Sequence, residues 1–237
     1  MSKHIRSIEV CVGDRTETVD FGNRSVVGLR GGMIEVDTIL FTLERFLALD
    51  FGSFYNDIDS KLGVKYENIN IGTSSIVYSE GSFHYLDGRL TSIGEMPSIH
   101  CIRYVNGNII RSFLISDKSK QEEIGIDMSH FNSTISDSKW QRIEMLVNDL
   151  LGYSFVNIDF KSRSLVFDFD SRPDEWSEKA LEVIYLLISE SMLTPEGYSR
   201  VILLSDMEIL TYDQLQKLVD VLRSISRNEL IVYSQLN

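Results

Sequence analysis

At 237 residues, with 43% hydrophobic and 24% charged residues, the chain is long enough for one large α/β domain or two small ones around a sizeable core. The net charge of −12 is uneven, with 13 basic against 15 acidic residues in 1–120 and 10 against 20 in 121–237. So acidic a second half argues against broad contact with a phosphate backbone, which needs clustered cations.

That acidity fits either solvated surface helices or a face that meets a basic partner. No apolar stretch reaches the roughly 18 residues needed to cross a bilayer. Residues 1–6 run straight into an alternating strand, so no signal peptide is expected. Cys11 and Cys101 lack His or Cys neighbours at ligand spacing and read as reduced core thiols of a cytoplasmic protein. Only three prolines occur and no low-complexity run appears, so residues 1–237 are expected to form a single domain.

Residues 7–12 alternate apolar and polar and predict a strand, with a turn at Gly13-Asp14 and a return strand over 15–21. Residues 25–29 form a short buried strand that breaks at Gly31-Gly32. Apolar residues Val36, Ile39, Leu40, Leu43, Phe46 and Leu47 then recur at helical spacing, predicting a helix over 36–49. The middle is strand-rich, with short segments at 68–71, 75–78, 82–86 and 89–92. Strands at 100–105 and 109–115 flank the hairpin signal Asn106-Gly107-Asn108. Residues 116–135 are polar and carry no clear pattern; 116–140 leave room only for a short connector.

Ser136-Asp137-Ser138 caps a helix that runs to Leu151 and stops at Gly152. A second hairpin is expected at 153–160 and 165–169, and a long helix over 175–193. The continuous apolar run at 200–204 marks a strand buried on both faces of a parallel sheet. A helix over 212–225 and a strand over 229–234 complete a βαβ unit. The expected organisation is a β-rich N-terminal lobe, about 1–135, and a helical and βαβ C-terminal lobe, about 136–237.

A phosphate-binding loop needs a strand, then Gly-x-x-x-x-Gly-Lys-Ser/Thr, then a helix. Its glycines let backbone amides wrap the phosphates, its lysine neutralises charge and its hydroxyl holds magnesium. Residues 26–35, Val-Val-Gly-Leu-Arg-Gly-Gly-Met-Ile-Glu, occupy that context without its chemistry. Met33 stands where the second glycine belongs, Ile34 where the lysine belongs and Glu35 where the hydroxyl belongs. A register three residues later recovers Thr38 but places Asp37 at the lysine position. Neither register supplies a cation.

Residues 201–216, Val-Ile-Leu-Leu-Ser-Asp-Met-Glu-Ile-Leu-Thr-Tyr-Asp-Gln-Leu-Gln, resemble without a gap the Walker B stretch of ABC-type P-loop ATPases. The likeness is to the branch of structural-maintenance-of-chromosomes, RecF and overcoming-lysogenization-defect proteins. There, four apolar residues precede Asp-Glu-Pro-Glu; the first acid holds magnesium through water and the second polarises the attacking water. Ser205 takes the first place here and Asp206 the second. The last strand resembles the family's apolar run before Thr-Thr-His, with Gln235 at the position of the γ-phosphate-sensing histidine. Residues 170–176 stand before a long helix, where the family carries Leu-Ser-x-Gly-Glu; Glu175 matches and the glycine does not. No glutamine of the family's Q-loop is identified among residues 80–95. The resemblance spans roughly residues 5–30 and 136–237, in family order.

The resemblance implies an α/β fold of the ABC-ATPase-head type. Its core sheet would be mixed and largely parallel, with an N-terminal antiparallel β-rich layer and flanking helices. With Met33, Ile34, Glu35, Ser205, Asp206 and Gln235 at degenerate catalytic positions and Gly28, Arg30, Gly31 and Gly32 in a vestigial loop, it implies no enzyme and no cofactor or metal. The expected function is contact with another protein, either as a homodimer or with an active ABC-type ATPase in DNA repair, recombination or phage–host conflict. Arg30, Arg172 and Trp176 are the residue types favoured at interface hot spots and fall on the family's partner-facing segments.

Two other readings remain. One is a regulator that holds nucleotide without hydrolysis, Arg30 supplying the lost charge. The other is an acidic decoy of a nucleic-acid-binding protein. His4, His84, His100 and His130 share no ligand spacing. Asp168 and Asp170 are expected on one face of a strand, where two carboxylates could bind a cation, a solvated strand end being the preferred reading. No membrane contact and no direct nucleic-acid binding are expected.

Overall fold

A computed structural model describes residues 4–12, 15–22, 24–32, 35–48, 62–68, 72–79, 82–86, 99–114, 136–159, 164–194, 198–205, 207–225 and 229–234. The chain divides into two compact units. One comprises Met1–Glu123, Pro195–Met207 and Asn228–Asn237; the other comprises Ile124–Thr194 and Glu208–Arg227.

The first unit holds two sheets. Strands β1 (His4–Val12), β2 (Arg15–Asp20), β4 (Leu62–Asn68), β5 (Gly72–Ser79) and β6 (Ser82–Leu86) form an antiparallel sheet in the order β2-β1-β4-β5-β6. Strands β3 (Val26–Leu29), β7 (Ile99–Val105), β8 (Asn108–Leu114), β11 (Ser199–Leu204) and β12 (Glu229–Ser234) form the core sheet in the order β3-β12-β11-β7-β8. Its first four strands are parallel and β8 is antiparallel to β7. This is the mixed, largely parallel core sheet with an antiparallel layer that the sequence implied.

Helix α1 (Val36–Ala48) packs on β7 and β8 through its buried Ile39, Leu40 and Leu43. The β7–β8 turn needs two residues at positive φ, as a type I′ hairpin does. Asn106 (φ 49°) and Gly107 (φ 80°) supply them. The segment expected as a strand at 68–71 overlaps β4 only at Asn68; β4 begins at Leu62 and pairs with β1 and β5, and residues 69–71 lie outside the described residues. The segment expected as a strand at 89–92 lies outside the described residues.

The second unit is built on helices α2 (Asp137–Leu151), α3 (Glu178–Leu193) and α4 (Tyr212–Ile225), with the hairpin β9 (Val156–Asp159) and β10 (Ser164–Phe167). In α2, Ile143, Val147, Leu150 and Leu151 make one buried stripe. Gly152 ends the helix at φ 76°, where its N–H donates to the Asn148 carbonyl at 2.8 Å. The Asn148 side chain then accepts from Phe155 N–H (2.9 Å) and Val156 N–H (3.0 Å), fixing the start of the hairpin. Phe155, Phe167, Phe169 and Tyr185 stack in tilted and edge-on contacts with centroids 4.9–6.0 Å apart. Among the described residues no helix is long and apolar enough to cross a membrane.

Three expectations change. The division at residue 135 gives way to interleaved units, because β11 and β12 pair with β7 and β3 of the first unit while α4 between them belongs to the second. A strand as apolar as Val201–Leu204 needs partners on both sides, and in a parallel sheet those lie far away in sequence. Helix α3 starts at Glu178 rather than 175, because Ser177 caps it by accepting from Ala180 N–H at 3.2 Å. Asp168 and Asp170 lie beyond the end of β10 instead of along a strand face; the Asp168 carboxylate accepts from Ser171 N–H at 3.1 Å and stabilises a turn.

Candidate functional site: a glycine turn at the carboxyl edge of the core sheet

In open α/β sheets ligands bind beyond the carboxyl ends of the parallel strands. Here register brings three such ends together. Tyr233 and Ser234 of β12 lie opposite Gly28 and Leu29 of β3, and Leu204 of β11 lies opposite Tyr233. The topology therefore gathers the turn after β3, the end of β12 and the residue after β11 at one edge. Those are the segments that carry the motif resemblance. Met33, Ile34, Asp206 and Gln235 themselves lie outside the described residues.

Gly28 is a strand residue, paired within β3, and takes no part in the turn. Arg30, Gly31 and Gly32 are exposed, and the chain enters α1 at Val36. Glu35 is exposed just before the helix, and its carbonyl accepts from Ile39 N–H at 3.2 Å. Asp37 stands in the first helical turn. The positive end of the helix dipole thus already has two carboxylates of the chain's own nearby. A third approaches from β2. A Cβ built on Gly32 would lie 2.8 Å from Glu17 Oε2 and 2.9 Å from Glu17 Cδ, whereas one on Gly31 would meet nothing within 4 Å. A side chain at 32 would have to displace the Glu17 carboxylate.

Ser205 is fully buried. Its N–H donates to the Tyr104 carbonyl at 2.9 Å, prolonging the β11–β7 ladder, and its hydroxyl has no hydrogen-bond partner among the described residues. Such an orphan hydroxyl stabilises nothing. Ser205→Ala is expected to change unfolding free energy by about 1 kcal/mol or less, in the stabilising direction, as read from the urea midpoint. A loss well above that would show that the hydroxyl has a partner.

In the second unit, residues 170–176 form a turn tied at several points. Trp176 N–H donates to Pro173 O at 3.0 Å, Arg172 pairs with Glu178 at 2.6 Å, and the Gln214 side-chain amide donates to Glu175 O at 2.7 Å. The same Gln214 accepts from Thr211 N–H at 2.9 Å and closes a capping box on α4. Trp176 is 2% exposed. Trp176 was expected as a contact residue on a partner-facing segment; its indole lies in the core instead. Arg172 stays partly exposed, at the rim of the same turn.

Two further features had no motif to announce them. Glu17 sits mid-strand on β2, and nothing local in its sequence points towards Gly32. Glu44 and Arg103 form a buried ion pair at 3.1 Å between α1 and β7. That pair was detectable in principle, since Glu44 falls on the apolar stripe of α1 and Arg103 interrupts the apolar run of β7.

No family model and no curated protein matches the sequence. Solved structures do match. The SMC head domain from Thermotoga maritima aligns over 99% of this chain and 89% of its own, at 12% identity and TM-score 0.49. An SMC head bound to the C-winged helix domain of ScpA aligns over 99% and 90%, at 13% identity and TM-score 0.44. The recombination mediator RecF, in a structure with a nucleotide analogue, aligns over 100% and 93%, at 12% identity and TM-score 0.50. The chain has the fold of an ABC-type P-loop ATPase head.

Proposed function

We propose that this chain is an ABC-type head without ATPase activity, retained for its shape and acting by contact with another protein. The observation that carries the reading is Ser205. At the end of β11, where the fold's enzymes need a carboxylate reaching magnesium, this chain has a hydroxyl that is wholly buried. An aspartate in that place would be a buried charge without a partner. The sequence supports the same reading at the other half of the site. Arg30 is the single cation in residues 26–35, and Ile34 and Glu35 replace the groups that would neutralise phosphate charge and hold the metal.

The partner of this reading is a second copy of the chain or an active head, in the cytoplasm. Heads of this family pair face to face, and the turn at Arg30–Gly32 and the rim at Arg172 are the faces so used. DNA repair, recombination and phage–host conflict are the settings the family resemblance suggests.

Titration calorimetry with Mg-ATP tests the reading. No saturable heat is expected up to roughly millimolar nucleotide, and no phosphate release on prolonged incubation. A dissociation constant in the micromolar range would overturn it in favour of a regulator that holds nucleotide, with Arg30 as the cation.

A further inference from the structure

The antiparallel sheet and the glycine turn belong to the same unit, and one residue links them. Glu17 is paired with Val10 in β2 and is half-buried, while Thr16 and Thr18 on either side are exposed. Its carboxylate lies so close to Gly32 that no side chain fits there without displacing it. A strand of a separate sheet thus delivers an anion to the turn that, in an active head, would receive one.

We propose that the Glu17 carboxylate is a built-in plug that closes the glycine turn at Gly32 to an incoming phosphate group. The inference rests on reading residues 26–35 as a vestigial phosphate loop. It goes beyond that reading because the obstacle it names is not among the decayed motif positions. Two physical effects act together. The carboxylate fills the space beside Gly32, and its charge repels a polyphosphate at short range, where a half-buried pair is screened less than one in bulk water. Glu35 and Asp37 stand at the helix start and add to the repulsion, while the Glu17 carboxylate lies against Gly32.

The probe is inorganic pyrophosphate, titrated into wild type, Glu17→Ala and Glu17→Gln by calorimetry. Glu17→Ala removes both volume and charge and is expected to bind pyrophosphate at least about tenfold more tightly than wild type, on the order of what one nearby like charge at partial exposure imposes. Glu17→Gln keeps the volume and is expected to fall between the two. Should the alanine variant not fold, the isosteric glutamine variant decides alone, by any gain over wild type. A folded Glu17→Ala no tighter than wild type overturns the plug, whatever wild type does with Mg-ATP. Tight Mg-ATP binding by wild type overturns the proposed function instead. The two failures are therefore distinguishable.

Discussion

Trp176→Ala is expected to lower unfolding free energy by about 3–5 kcal/mol, the range for removing a large buried aromatic. Trp176 is 2% exposed and stands at the entry to α3, held by its own N–H to Pro173 O and followed at once by the Ser177 cap. Truncation would leave a cavity where the turn at 170–176 joins the helix, and a backbone tied at this many points has little freedom to collapse into it. The indole N–H has no hydrogen-bond partner among the described residues, so Trp176→Phe sacrifices volume but no bond. Its cost is expected to stay below about 1.5 kcal/mol. Urea denaturation of both variants checks this. Near-native stability of Trp176→Ala would return the side chain to the surface and restore it as a contact residue.

The elements written by local rules were legible in the sequence. Asn106-Gly107 announced its hairpin, Gly152 marked the end of α2, and the apolar runs at 200–204 and 229–234 marked parallel strands; Ser136 holds the N-cap position, but its side chain makes no capping bond. Each depends on residues within a few positions of one another, which is the range over which backbone preference and periodicity act. What was not legible is set by distance along the chain. That β12 lies between β3 and β11 follows from pairing across some two hundred residues. The assignment of α4 to one unit and its flanking strands to the other likewise has no local signature. Trp176 was read as a contact residue because its type is favoured at interfaces and it falls on the family's partner-facing segment. A single inward side chain in a polar turn leaves no period to detect. The candidate site divides along the same line. The glycine turn and the Ser205 position could be read from motif spacing, while Glu17 reaches the turn from another sheet.

Glu44→Ala is expected to be as costly, at about 3–5 kcal/mol, because it strands a charge. The Glu44 and Arg103 side chains are 1% and 7% exposed, and their ion pair at 3.1 Å joins α1 to β7, beside the edge strand β8 of the core sheet. Arg103 Nε has no hydrogen-bond partner among the described residues, so the guanidinium is held chiefly by this carboxylate and by the face of Phe41, 5.2 Å from Cζ. Next to it, burial pushes the Cys101 thiol pKa up; the Glu44 carboxylate adds to that rise and Arg103 opposes it. A neutral thiol there offers Arg103 no replacement anion. The mirror substitution, Arg103→Ala, takes the cation from a buried carboxylate and is also expected to destabilise the fold. Replacing both together, Glu44→Leu with Arg103→Met, removes two desolvated charges and refills their volume. That double variant is expected to lie within about 1–2 kcal/mol of wild type, on either side. Urea midpoints of wild type, Glu44→Leu, Arg103→Met and the double variant form a double-mutant cycle. Single variants that each cost under about 1 kcal/mol would mean that water reaches the pair. A double variant as unstable as the sum of the singles would mean that the two residues do not act as a pair. If the cycle closes as expected, α1 is clamped to the sheet from its interior. The glycine turn before it then keeps its place without any nucleotide to organise it.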